Sequence, residues 1–309
     1  MNINSILAVT DLVPATDHTV DRAAMLAADH GAALSLMYAA AANSRNASDA
    51  VGHLTQLAEH ASQRFGIAVR TVVGRSGDTI EQIPEEARHH DLVVIGHRAE
   101  RSLSAFLYGT RTERIMRLCR CPVLVTKLEA KKSYGRVLVA VDFTATSKAL
   151  VNLAFGFDPY AEVELFHAIS TRDEAKLRSA EASEHVIKAY RHKTRLQAHE
   201  RMFWLTDSSD ARRNRVMSAV GRGDPARQVA VQQEYGGAEL IVVGRRLRSA
   251  VADFFFGSVA RRLLSWSSGD VLVVPHGHRS SIRASAKIGT EGEQGDAEGA
   301  FLSNRRRAL

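Results

Sequence analysis

The chain repeats itself. Ile6-Leu7-Ala8-Val9-Thr10-Asp11 returns as Val137-Leu138-Val139-Ala140-Val141-Asp142, and DLVVIG (Asp91 to Gly96) returns as ELIVVG (Glu239 to Gly244). Thirteen residues beyond each of those glycines stands another, followed by a hydroxyl residue: Gly109-Thr110 in the first copy, Gly257-Ser258 in the second. A period of 131 residues between Asp11 and Asp142 is too long for a solenoid unit and suits a whole domain. Whatever one copy folds into, the other must also fold into. One continuous sheet through both copies, or glycine segments far from the two aspartates, would end the case for a duplicated sheet with paired crevices.

Within the first copy, apolar runs alternate with stretches of helical periodicity. Residues 5–10, 33–38, 68–73, 92–95 and 122–126 read as strands, and 17–30, 47–65, 79–89 and 111–118 as helices. Apolar runs without alternation are strands buried on both faces, and strand–helix alternation gives a parallel sheet wrapped by helices in right-handed crossovers. Pro84 calls for a kink or a late start in its helix. The second copy follows the same order, but its offset grows to 148 residues at Gly96 and Gly244. The 17 extra residues fall between Thr171 and Arg213, a charged stretch of helix-favouring residues. They predict a longer second helix and a polar loop around Asp207-Ser208-Ser209-Asp210. The expected fold is α/β: two tandem doubly wound domains, each with a five-stranded parallel sheet. They span 1–128 and 136–276, joined by a polar linker at 129–135 and followed by a polar tail, 277–309, with the composition of a disordered segment.

Hydrophobic residues make up 45% of the 309, enough for two domains that each bury a core. No apolar run spans a bilayer, and the chain enters a strand pattern at once without a basic n-region, so a cytoplasmic protein without a membrane partner is expected. The two cysteines, Cys119 and Cys121, are too close to staple the fold and suit a reducing compartment. Separated by one residue, they are neither a zinc site nor a redox pair and read as packing residues. The formal net charge of +7 draws attention to acidic partners, nucleotides and nucleic acid among them. Aromatic residues are only 6% and do not interleave with basic ones, which argues against a stacking platform for single strands.

In open parallel sheets, ligands sit beyond the carboxyl ends of the strands, where the strand order reverses. Three features of each copy are expected there. Asp11 or Asp142 ends the first strand, and Gly96 or Gly244 ends the fourth. Gly109-Thr110 or Gly257-Ser258 opens the following helix, whose free N–H groups favour phosphate. The aspartates suit a base amine or a ribose hydroxyl, and equally a cap on the next helix.

These segments resemble the universal stress protein family along nearly the whole chain to about Pro275. Nucleotide-binding members carry G-x2-G-x9-G-[S/T]; here GHRAERSLSAFLYGT and GRRLRSAVADFFFGS have that length. GDTIEQIPEEARHHDLVVIG, TERIMRLCRCPVLV and GSVARRLLSWSSGDVLVV are also family-like. The resemblance implies an adenine nucleotide α-hydrolase-like fold and ATP or another adenine nucleotide as cofactor, with Asp11 and Asp142 at the base-contacting position. It also implies two domains packed as an internal pseudo-dimer through their last strands, PVLVT and DVLVV, while a homodimer of whole chains stays open. The chain departs from the motif at the second glycine, which is Ala99 in one copy and Leu247 in the other. Only glycine removes the side chain altogether, so nucleotide binding is expected in the first copy before the second. Arg98 and Arg101, and Arg245, Arg246 and Arg248, stand either as phosphate partners or as solvated loop charges.

The remaining candidates have plainer readings. His167 lines the second crevice or sits as an interior histidine with one bond. His89-His90 and His276-x-His278 lack further ligands at fixed spacing, so no metal site is expected. Asp224-Pro225 reads as an N-cap and first helical residue. Neither a Walker A pattern nor a G-x-S-x-G occurs, which favours a non-catalytic stress-response or signalling module, with slow ATP hydrolysis left open. An ATP-using enzyme of the α-hydrolase-like class is the alternative, although Asp11-Leu12-Val13-Pro14 stands where such enzymes carry a Ser-Gly-Gly loop. A nucleic-acid-associated basic protein is the third.

Overall fold

A computed structural model describes residues 3–12, 17–39, 47–74, 79–97, 110–158, 160–207, 216–245 and 258–276. The first copy comprises β1 (Ser5–Thr10), α1 (Asp17–His30), β2 (Ala33–Tyr38), α2 (Ala47–Phe65), β3 (Val69–Val72), α3 (Thr79–Glu86), β4 (Leu92–Gly96), α4 (Arg111–Leu118) and β5 (Val123–Thr126). The second comprises β6 (Arg136–Ala140), α5 (Ala145–Phe157), β7 (Glu162–Ile169), α6 (Arg172–Ser179), α7 (Glu184–Asp207), β8 (Met217–Arg222), α8 (Pro225–Gly236), β9 (Leu240–Arg245), α9 (Ser258–Trp266) and β10 (Asp270–Pro275). Pro84 lies inside α3, which tightens into a 3-10 turn at Ala87–His89.

The ten strands form one sheet in the order β3-β2-β1-β4-β5-β10-β9-β6-β7-β8. The sheet is therefore continuous, the arrangement expected to end the case for duplication. Direction resolves the point. All pairs within each half are parallel, and both halves have the same internal order. The sheet passes from one half to the other where β5 pairs antiparallel with β10. Leu124 lies opposite Leu272, its counterpart in the repeat, while Val123 and Val125 face Val273 and Val271. That reciprocity is the signature of a two-fold, isologous contact, made here within one chain. It covers the apolar edge that β5 and β10 would otherwise expose.

Alternate residues of each strand feed two cores, one on each face. Ile6, Ala8, Val139 and Val242 join α1, α2, α5 and α7 on one side. Leu7, Val9, Leu138 and Ile241 join α3, α4, α8 and α9 on the other. Both cores run through the seam without a break.

Polar groups lock the seam. Asp270, fully buried, occupies the position that Pro122 holds in the first copy. Its Oδ1 accepts the Lys127 and Leu128 backbone N–H groups at 2.7 and 2.9 Å, and its Oδ2 the Tyr134 hydroxyl at 2.5 Å. Arg22 of α1 approaches the same carboxylate at 3.6 Å, lies over the Tyr134 ring and donates to the Lys132 carbonyl. The segment joining the copies is thus tied to both. Each copy also caps a helix of the other. Lys127 Nζ donates to the Ser267 carbonyl at the end of α9, and buried Arg245 donates to the Met116 and Cys119 carbonyls at the end of α4. Cations at helix C-termini satisfy orphan carbonyls and oppose the dipole.

The second helix is longer, as expected, with 24 residues in α7 against 19 in α2. The insertion also adds a short helix, α6, separated from α7 at residues 180–183, where Glu181 takes a left-handed φ of 54°. The polar loop at residues 208–210 and the tail beyond 276 lie outside the described residues.

Candidate functional site

β1 lies between β2 and β4, with Val9 opposite Ile95 and Thr10 opposite Tyr38. The chain leaves β1 toward one side and returns on the other at β4, so the strand order reverses between them. Asp11 and Gly96 emerge side by side at that point. The second copy repeats the arrangement with β6 between β7 and β9, which brings Asp142 beside Gly244. Each glycine segment therefore lies next to its aspartate, as the sequence requires.

The backbone after each aspartate is unusual. Leu12 and Phe143, equivalent residues, both adopt φ of 58°. A left-handed conformation costs a branched or bulky L-residue about 1–2 kcal/mol, and glycine or asparagine is the ordinary occupant. The Thr10 hydroxyl accepts the Leu12 N–H at 3.0 Å and helps hold the turn. Leu12 and Phe143 pack back against the core on the α1/α5 face. Two copies maintain the same strained turn at the crevice.

The second aspartate is tied to the helix that follows it. Asp142 Oδ1 accepts the Thr144 N–H and hydroxyl at 3.1 and 2.6 Å and the Ser147 hydroxyl at 3.1 Å, which ties it to the start of α5. Its neighbour Phe143 stacks on His167 with centroids 4.2 Å apart. His167 Nδ1 bonds the Val141 carbonyl at 2.8 Å. Burial lowers the His167 pKa, against the opposing effects of that bond and of Asp142. His167 thus lines the second crevice and has a satisfied interior bond, two readings the sequence had left as alternatives. In the first copy, Val13 stands where the second has Thr144, and no side-chain donor exists at that position.

After β4, Thr110 is the N-cap of α4. Its hydroxyl accepts the Glu113 N–H at 3.2 Å, and the Glu113 carboxylate accepts the Thr110 N–H at 3.3 Å. This reciprocal cap fills two orphan donors and places a negative charge where a phosphate would bind. The second copy has Arg261 at the position of Glu113, so Ser258 opens α9 without that carboxylate. A Cβ added to Gly244 would meet Leu150 Cδ1 at 3.4 Å, an ordinary contact, so packing within the chain does not demand glycine there. Arg98, Gly109 and Gly257 lie outside the described residues, as do Ala99, Arg101, Arg246, Leu247 and Arg248.

Arg245 does not serve as a phosphate partner. It is 7% exposed and turned into the seam, on the carbonyls of α4. Its equivalent, His97, is also set against the seam, where burial and then Lys127 lower its pKa. Cys119 and Cys121 are buried thiols pushed up to about 12, chiefly by desolvation. His90 is a core histidine held by the Glu86 carbonyl and Ser35 hydroxyl. Asp224 caps α8 with Pro225 next, and also binds Arg262 at 2.8 Å. Among the described residues no group of three or more His, Cys, Asp or Glu side chains could hold a metal ion, and no helix is long and apolar enough to cross a membrane.

The sequence model of the universal stress protein family matches residues 2–127 and again residues 133–275. The chain belongs to that family. A universal stress protein of Mycobacterium tuberculosis is 26% identical over 227 residues, covering 71% of this chain and 72% of its own. Its counterpart in Mycobacterium bovis gives the same figures. Among solved structures, a universal stress protein of Pseudomonas aeruginosa superposes with a TM-score of 0.61 at 20% identity, over 88% of this chain and 93% of that one. One from Archaeoglobus fulgidus gives 0.60 at 18%, over 88% and 96%. These two likenesses establish the fold: a tandem universal stress protein with a sheet of the adenine nucleotide α-hydrolase-like type.

Proposed function

We propose that this tandem universal stress protein is a non-catalytic signalling module whose first crevice holds an adenine nucleotide as a regulator. The observation that carries the reading is the repeated left-handed turn at Leu12 and Phe143, placed at the switch point beside Gly96 and Gly244. Strain retained twice at the end of a central strand, by residues that do not favour it, is the kind found at binding sites. In this reading Asp11 contacts the base or ribose and the start of α4 at Thr110 receives the phosphate.

One difference favours the first crevice: Ala99 intrudes less than Leu247 on the motif's glycine position. The Glu113 carboxylate opposes phosphate there; its bond to Thr110, at 3.3 Å, is long enough to give way when a stronger anion arrives. The nucleotide then acts by its presence, altering the surface offered to a protein partner, and is not a substrate turned over.

The test is mass spectrometry of small molecules released from the purified full-length protein, with calorimetric titration of ATP and magnesium. Asp11→Ala should lose the nucleotide and Asp142→Ala retain it. Binding that survives Asp11→Ala, or rapid ATP hydrolysis by the wild-type protein, would overturn the reading.

A further inference from the structure

We propose that the helical insertion of the second copy builds a separate phosphate-binding site from Arg178, Arg191 and Arg222. The three guanidinium groups converge on Glu174, whose side chain is 7% exposed. Arg178 Nε and Arg191 Nε donate to its Oε1 at 3.4 and 3.0 Å, Arg191 Nη2 makes a closer contact with the same oxygen, and Arg222 Nη2 reaches Oε2. One arginine comes from α6, one from α7 and one from the last residue of β8. Three separate elements therefore aim cations at one point.

The charges do not balance. Glu174 neutralises one of the three, and Glu184, 63% exposed, reaches Arg178 at 3.5 Å. Counting both carboxylates in full, the three guanidiniums keep one surplus positive charge. Anchoring the insertion requires one ion pair; three guanidiniums held this close repel one another unless an anion joins them. Each presents five N–H donors in a planar fork, more than one carboxylate can accept. The arginines remain 36–50% exposed, so solvent reaches them. Forked donors with surplus charge, open to solvent, fit a phosphate group.

The placement points the same way. Arg222 pairs with Ile169, two residues beyond His167 on the adjacent strand. The Arg222 backbone therefore lies about 8 Å from that of His167, on the same carboxyl edge of the sheet as the second crevice. Among the described residues the first copy has no counterpart of α6. The ligand is a phosphate, either free or carried by a small molecule lying in the second crevice. The site is independent of the nucleotide reading of the first crevice.

Calorimetric titration of the full-length protein with inorganic phosphate, against sodium chloride at matched ionic strength, tests it, and AMP is titrated in parallel. Phosphate should bind where chloride does not. Arg191→Lys/Arg222→Lys keeps the charge but loses the forks, and should weaken binding roughly tenfold or more, the scale of one charge-assisted contact. Glu174→Gln removes the competing charge and should tighten it. Urea unfolding of each variant verifies that it is folded. AMP binding to the Asp11→Ala protein that depends on both the arginines and Asp142 identifies a carried phosphate; phosphate binding without AMP binding to that protein identifies a free one. No binding of either, or binding indifferent to all these changes, overturns the proposal and leaves the cluster a structural tie.

Discussion

Asp270→Ala is the most informative perturbation of the seam. The carboxylate is fully buried and accepts two backbone N–H groups and the Tyr134 hydroxyl, with Arg22 alongside at 3.6 Å. Alanine leaves a guanidinium that is 4% exposed without its counter-charge, which by itself costs about 3–5 kcal/mol. The abandoned N–H groups add about 1–3 kcal/mol each if water cannot reach them, and little if it enters the vacated space. Carbonyls of Lys132 and Glu129 still accept from Arg22 and soften the loss. The expected destabilisation is about 4 kcal/mol, against about 2 kcal/mol for Asp270→Asn, which keeps an acceptor oxygen. Arg22→Met combined with Asp270→Asn should fall short of additivity by about 1–3 kcal/mol, since the two groups share one network. The assay is urea unfolding followed by circular dichroism and tryptophan fluorescence together. Both tryptophans, Trp204 and Trp266, lie in the second copy, so fluorescence follows that half while dichroism follows both. The two transitions should coincide in the wild-type protein and separate in Asp270→Ala. A cost under about 1 kcal/mol, or an additive cycle, would refute the lock, because a buried pair that matters cannot be broken from one side so cheaply.

Glu113→Gln keeps the cap but removes its charge; ATP affinity of the first crevice should rise roughly threefold to tenfold, measured calorimetrically, in line with one charge at a helix N-terminus. Arg245→Met should destabilise the protein by about 2 kcal/mol in urea unfolding, the scale of charged hydrogen bonds lost across the seam, and leave phosphate binding unchanged. Burial holds Lys127 down at about 8 against the pull of Asp270, from an ordinary 10.5. Between those values the unfolded chain keeps a proton that the folded one has released, so this lysine makes stability rise with pH through that window; Lys127→Met should flatten the rise in the urea midpoint. Cys119 and Cys121 should resist a thiol reagent at neutral pH in the native protein and react once urea unfolds it, as buried thiols pushed up to about 12 must.

The sheet was legible because its strands are buried on both faces and so read as unbroken apolar runs, twice over. The pairing of PVLVT with DVLVV was implied by the family resemblance, and the need of an apolar edge for cover agrees with it. What continuity of the sheet implies was misjudged: an antiparallel seam joins two sheets without merging their domains. The split between α6 and α7 was not legible, because the left-handed residue at the break is Glu181 and not a glycine. Arg245 was offered as a phosphate partner because it follows the motif glycine. Its alignment with His97, a residue of the seam, was the available signal. Asp270 gave a signal too, a carboxylate heading an apolar strand where the first copy has Pro122. The capping box was written openly as Thr110-x-x-Glu113. The strained turns at Leu12 and Phe143 had no signature, since neither residue type announces positive φ.

The antiparallel junction of β5 with β10 has a geometric result for anything this protein meets. Strands of the two halves run in opposite senses, so the mouths of the two crevices open on opposite rims of the sheet. No small ligand can bridge them, and a globular partner seated over one leaves the other clear. The chain can therefore be gripped from two directions at once, like a link with an eye at each end.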